Sequence, residues 1–183
     1  MKYLACALSV VALSACSTNP APDMAAQSVI PSAERTNMQN ADVNALQGIT
    51  RHLIDSSSLY AAAAQDSENP AYTAQLNALS DRRRAMTNLF QARVAAMGAA
   101  PAESGDPIGT AHRVFMEARS LGNADTKVAV QEALRGENFL LTEITASANN
   151  MQLGASTRNF LNQQIAEVTA DRDRLQVYAS SLG

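Results

Sequence analysis

From Asp42 onward, apolar residues recur at alternating spacings of three and four, the period of an amphipathic helix. The first row is Leu46, Ile49, Leu53, Ser56, Tyr60 and Ala63. The second is Leu76, Leu79, Arg83, Met86, Phe90, Val94 and Met97. A third follows as Val130, Leu134, Glu137, Leu141, Ile144, Ala148 and Met151, and a fourth as Leu161, Ile165, Val168, Arg172, Leu175, Ala179 and Leu182. Start and stop signals bracket these rows. Asp42 is a candidate N-cap for a helix over about 42–65, and Asn69-Pro70 opens a second that ends at Gly98. Asp106-Pro107 opens a short helix that stops near Gly122-Asn123. The third long helix covers about 125–150, and the fourth starts near Ser156, after Gly154. Short links between long amphipathic helices favour antiparallel neighbours. The predicted fold is all-α: an up-down four-helix bundle with a short extra helix between helices two and three.

Each row is broken by one polar residue near mid-helix. These are Ser56, Arg83, Glu137 and Arg172. In antiparallel pairs, mid-helix residues face one another, so the four are expected to share a buried polar layer. A lone buried charge costs several kcal/mol, whereas a hydrogen-bonded pair survives. The pattern therefore predicts an ion pair between Glu137 and Arg172 or Arg83. The competing reading has these side chains reach out from helix edges and pair with water.

Ahead of the rows the character changes. Lys2 supplies a positive start, Tyr3 to Leu13 form a nearly uncharged apolar run, and small residues lead to Cys16. That is the layout of a cleavable secretory signal, and the apolar run is shorter than the roughly 20 residues a transmembrane helix needs. Leu13-Ser14-Ala15-Cys16 looks like a bacterial lipobox, whose cysteine is acylated and becomes the first mature residue. The alternative is an ordinary secreted protein with Cys16 a free thiol. Ser17 in place of Asp resembles the default sorting to the outer membrane. Residues 17–41, rich in Ser, Pro, Asn, Ala and Gln, read as a flexible tether. It would reach on the order of 25–30 Å. The organisation expected is thus a signal peptide over 1–15, an acylated cysteine and tether over 16–41, and a bundle domain over 42–183.

Cleavage before Cys16 would remove Cys6 and leave no second cysteine for an intrachain disulfide. It would also leave 13 basic residues, Lys2 being lost from 14, against 17 acidic ones, a net charge of −4. A mildly acidic chain without a basic run is a poor partner for nucleic acid and for anionic lipid, so the expected membrane contact is the acyl anchor at Cys16.

Four-helix carboxylate proteins build di-iron sites from Glu and Glu-x-x-His. No Glu-x-x-His occurs here, and a guanidinium has no lone pair for a metal. His52 reads as a helix-edge residue and His112, before Phe115 and Met116, as a packing residue. The scattered methionines read as core filler. Of Arg82-Arg83-Arg84, two must point outward, toward Asp81 or acids of helix one, and Asp171-Arg172-Asp173-Arg174 reads as an exposed mixed-sign face apart from Arg172. No phosphate loop, Ser/His/Asp set or nucleophilic cysteine is legible. No catalytic residue, metal site or cofactor is expected.

Several stretches resemble a known group. They are Leu46 to Tyr60 with Asp55, Arg83 to Gly98, Pro101-Ala-Glu-Ser-Gly105 with Gly109 and His112-Arg113, and Arg135-Gly136-Glu137. Together they are similar to an uncharacterised bacterial family of ferritin-like four-helix-bundle domains, over residues 46–182. The resemblance implies a ferritin-like bundle and brings no established activity. Ser56-Ser57-Ser58 stands where such domains often show Asp or Glu, and Arg172 where they often carry a histidine in helix four. An arginine layer here looks like fixed charge in place of metal charge.

The expected function is a non-catalytic lipoprotein at the periplasmic face of the outer membrane. Its bundle would act in structure or interaction in the cell envelope, or in stress tolerance, as a homo-oligomer or with an envelope protein. The rival is a ferritin-like metal-binding or redox protein. A carrier of small apolar ligands is a third class, disfavoured by alanine-rich faces such as Ala61 to Ala64 that allow close packing.

Overall fold

The structure, a computed structural model, describes residues 31–106 and 126–182. Four helices and no strands occur among them: α1 (Ser32–Asp66), α2 (Pro70–Ala96), α3 (Thr126–Ala148) and α4 (Ala155–Ser181). The signal segment, Cys16, the start of the tether, the short helix expected after Asp106, Gly109 and His112-Arg113 all lie outside the described residues.

Local chemistry explains the ends. Asn69 caps α2 by accepting a hydrogen bond from the Ala71 amide at 3.0 Å, and Pro70 occupies the first turn, where its missing N–H costs nothing. Gly98, at φ 81, ends α2 in the left-handed conformation that a glycine adopts without strain. α4 has no capping side chain of its own. Asp42 of α1 does that work from a distance, accepting a hydrogen bond from the Gly154 amide at 2.8 Å. The proposed N-cap of helix one is therefore a cross-helix clamp on α4, since α1 is already under way at residue 42.

Indeed α1 begins at Ser32, ten residues before the expected start, so positions 32–41 are helical rather than tether. They carry no apolar row because nearly all are exposed. Ala33, Glu34, Arg35, Met38 and Gln39 are nonetheless good helix formers, and extending an existing helix is far cheaper than nucleating one. Pro31 marks the boundary.

Two apolar clusters fix the helix directions. One combines Leu46 to Leu53 of α1 with Met86 to Val94 of α2, Leu140 to Ala148 of α3 and Leu161 to Val168 of α4. The other combines Leu59 to Ala64, Leu76 and Leu79, Val130 and Ala133, and Leu175. Each hairpin, α1–α2 and α3–α4, is thus an up-down pair, while α2 and α3 run parallel. The order is up, down, down, up, with the single long crossover of ferritin-like bundles.

The first stretch of that crossover is held along α1. Gln39 donates to the Met97 carbonyl at 2.9 Å. Gln47 donates to the Ala100 carbonyl at 2.6 Å and accepts from the Ala102 amide at 2.7 Å. Asp55 accepts from the Asp106 amide at 3.1 Å. A Cβ at Gly105 would overlap the Asp55 carboxylate, which explains why a glycine follows Pro101-Ala-Glu-Ser.

Candidate functional site

Between the two apolar clusters lies a polar layer to which all four helices contribute. α2 buries Leu76, Leu79, Arg83, Met86, Phe90 and Val94 at three-four spacing, which drives Arg83 into the bundle centre. By the same period α3 buries Glu137 between Ala133 and Leu140. α1 brings Ser56 and Tyr60. α4 brings Asp171, between Val168 and Leu175.

Arg83 and Glu137, both fully buried, meet side by side. Arg83 Nε donates to Glu137 Oε1 at 2.9 Å and Nη2 to Oε2 at 2.6 Å, the bidentate fork that makes an Arg–carboxylate pair strong. Tyr60 Oη donates to Glu137 Oε1 at 2.7 Å. Arg83 Nη2 also donates to Asp171 Oδ2 at 2.9 Å. Asp171 in turn accepts from Arg82, at 3.1 Å to Oδ2 and 2.8 Å to Oδ1, and from Arg174 at 2.6 Å. All four helices are joined through two carboxylates.

The charges are balanced by direct contact between side chains. Burial opposes the charge on Arg83, but Glu137, Tyr60 and Asp171 more than offset that penalty and hold its pKa above the ordinary guanidinium value. Burial, the Glu137 charge and the hydrogen bond to Glu137 push the Tyr60 phenol well above its usual range, against the smaller opposing effects of Arg83 and Ser56. Desolvating each ion costs several kcal/mol, recovered only by good geometry and satisfied lone pairs. Glu137 and Asp171 meet that condition. Arg83 does not quite: its Nη1 is buried without a partner among the described residues.

Three of the four residues expected in the layer are there: Ser56, Arg83 and Glu137. Arg172 is not. It lies at the helix edge, 31% exposed, and its Nε donates to the neighbouring Asp173 at 2.6 Å. Asp171 holds its place. The rows 161-165-168-172-175 and 161-164-168-171-175 share Leu161, Val168 and Leu175, so periodicity alone allowed a rotation by one residue. Charge decides it, because Arg172 would bring a second cation against Arg83 where Asp171 brings the anion. The expected ion pair therefore forms between Glu137 and Arg83. Tyr60 was legible as a core residue and not as a partner of Glu137. The signal that could have found it is Gly136, where a Cβ would stand 3.2 Å from Tyr60 Oη.

The remaining candidates occupy bland positions. His52 sits half-buried at the edge of α1 with its ring 5.0 Å from Phe139, edge to face. Arg84 pairs outward with Asp81 at 2.9 Å. Arg82 reaches Asp171 rather than an acid of α1. No group of three or more His, Cys, Asp or Glu able to hold a metal occurs among the described residues. A ferritin-like di-metal set does not fit the layer, because its two carboxylates are both engaged by guanidinium groups. No described helix is long and apolar enough to cross a membrane.

Residues 41–150 match the family described as a domain of unknown function, DUF2383. The chain belongs to this family. The DUF2383 match starts where α1 first becomes buried and takes in α1 from Ala41, all of α2 and all of α3. It therefore contains Tyr60, Arg83 and Glu137, while Asp171 on α4 lies beyond it. Neither a curated protein nor a solved structure matches the chain.

Proposed function

We propose that this DUF2383 protein is a lipoprotein held by an acylated Cys16 at the periplasmic face of the outer membrane. In this reading its bundle serves a non-catalytic, structural or interaction role in the cell envelope or in stress tolerance. The observation that carries the non-catalytic part is the layer itself. Its two buried carboxylates are saturated by Arg82, Arg83, Arg174 and Tyr60, so neither is free to act as a general base, which must reach a substrate proton. The Leu13-Ser14-Ala15-Cys16 motif supports the anchor, and the net charge of −4 expected after cleavage gives the chain no electrostatic means of adhering to anionic lipid or nucleic acid.

The test is metabolic labelling with an alkyne-bearing fatty acid, followed by membrane fractionation. Wild-type protein is expected to carry the label and to sediment with outer membranes. A Cys16→Ser variant should carry none and be released from that fraction. Label that survives Cys16→Ser, or wild-type protein without label, overturns the anchor. Stoichiometric iron or manganese in protein purified without chelator would move the assignment to a metal or redox protein.

A further inference from the structure

Three arginines converge on Asp171. Arg83 donates to its Oδ2 at 2.9 Å, Arg82 reaches Oδ2 at 3.1 Å and Oδ1 at 2.8 Å, and Arg174 holds Oδ1 at 2.6 Å. Glu137 already answers the charge on Arg83 through the bidentate fork. Three guanidinium groups thus meet two carboxylates, and one positive charge is left over. That surplus lies at the surface. The side chains of Arg83 and Asp171 are fully buried, whereas those of Arg82 and Arg174 are 37% and 58% exposed, one on α2 and the other on α4. Neighbouring acids do not cancel it. Asp81 is engaged by Arg84 at 2.9 Å and Asp173 by Arg172 at 2.6 Å. Glu167, a turn before Asp171, makes no ion pair with either exposed arginine among the described residues.

Hydrogen-bond donors are left over as well as charge. A guanidinium carries five N–H groups in a rigid plane. Arg82 commits Nε and Nη2 to Asp171, and Arg174 commits only Nη1. Arg82 Nη1 and Arg174 Nε and Nη2 have no acceptor among the described residues. Both arginines grip the same oxygen, Asp171 Oδ1, so one buried carboxylate holds the two heads side by side. Paired forks at a water-exposed edge are the donor set for an anion with several oxygens. We propose that Arg82 and Arg174 form a phosphate-binding site where α2 meets α4. A phosphate accepts from both guanidinium groups and neutralises the surplus charge, which a metal cation would only raise. Inorganic phosphate and the phosphate of a lipid headgroup share this chemistry. The inference stands apart from the anchoring at Cys16.

The experiment titrates full-length protein with potassium phosphate by calorimetry, against potassium chloride of equal ionic strength. Wild type is expected to bind one phosphate per chain with millimolar affinity. Arg174→Gln should weaken binding by about tenfold or more, the loss of a charge-assisted hydrogen bond. Arg174→Lys should recover only part of it, because an ammonium keeps the charge and loses the fork. Arg84→Gln, which removes an exposed arginine committed to Asp81, should bind as wild type does. Arg82→Gln should weaken binding as Arg174→Gln does; if it does not fold, the more exposed Arg174 carries the test alone. Dihexanoyl phosphatidylglycerol, a soluble headgroup probe, is titrated in parallel. Binding tighter than that of inorganic phosphate, and equally dependent on Arg174, names a lipid headgroup as the source, and weaker binding names a soluble phosphate. The proposal is overturned if wild type binds phosphate no better than Arg174→Gln or no better than chloride. It is also overturned if Arg84→Gln weakens binding as much as Arg174→Gln.

Discussion

Arg83 and Glu137 occupy positions that the helical period reserves for leucine, and both are fully buried. Such a pair adds little over a hydrophobic pair of equal volume, but removing one member strands the other. Glu137→Ala leaves Arg83 with Asp171 as its remaining acceptor and removes the carboxylate that accepts from Tyr60. The expected loss is about 3–5 kcal/mol, read as a fall in the urea midpoint at unchanged slope. Total domain stability is of order 5–15 kcal/mol, so this is a large share. The double replacement Arg83→Met/Glu137→Leu should cost less than Glu137→Ala alone, because no charge is stranded between the two. A loss under about 1 kcal/mol for Glu137→Ala would mean that water, not Arg83, satisfies the carboxylate.

Among the helices, α3 departs from its expected row, burying Ala133 and Leu140 where Leu134 and Leu141 were expected and leaving Met151 exposed, and α4 departs in its charged residues. Its apolar row tolerated two rotations, and three-four spacing on an alanine- and glutamine-rich helix does not choose between them. The choice came from α2, through the charge of Arg83. It makes Asp171 structural and Arg172 a helix-edge residue, so Asp171→Ala, which leaves Arg83 its paired Glu137, should cost about 1–3 kcal/mol and Arg172→Ala should stay within about 0.5 kcal/mol. Equal effects in chemical denaturation would contradict the observed rotation. α1 posed the opposite problem. Its row of buried residues, Leu46 to Ala63, matches expectation at every position, yet the helix runs ten residues further toward the N-terminus. Amphipathic pattern reports only where a helix is packed, and positions 32–41 are helical without being packed.

For the molecule as a whole, the layer ties folding to pH at the alkaline end. The Tyr60 phenol has its pKa raised in the folded state by burial and by Glu137, whereas an unfolded tyrosine ionises near pH 10. A raised folded pKa means that this contribution is fully present below about pH 10. It is lost as pH climbs toward the folded value, because only the unfolded chain then releases the proton. The slope contributed by Tyr60 should approach, at most, about 1.4 kcal/mol per pH unit. Tyr60→Phe should be less stable at neutral pH by about 1–3 kcal/mol and should lose stability less steeply above pH 10. Parallel stability–pH curves for the two proteins would show that Tyr60 is not the titrating group.

The four long helices, the α2 start at Asn69-Pro70, its end at Gly98 and the seams of α1 and α2 were all readable along the chain, because capping and amphipathic period act between residues close in sequence. The presence of a charged layer was readable too, since Ser56, Arg83 and Glu137 interrupt apolar rows at similar levels. Its membership was not. Asp171 in place of Arg172, the Tyr60 hydrogen bond, the Asp42 clamp on the α4 start and the parallel run of α2 and α3 each depend on which groups meet across helices. Those contacts answer to charge complementarity and desolvation at sites 77 to 112 residues apart, as from Tyr60 to Glu137 and from Asp42 to Gly154, and no local periodicity carries that information.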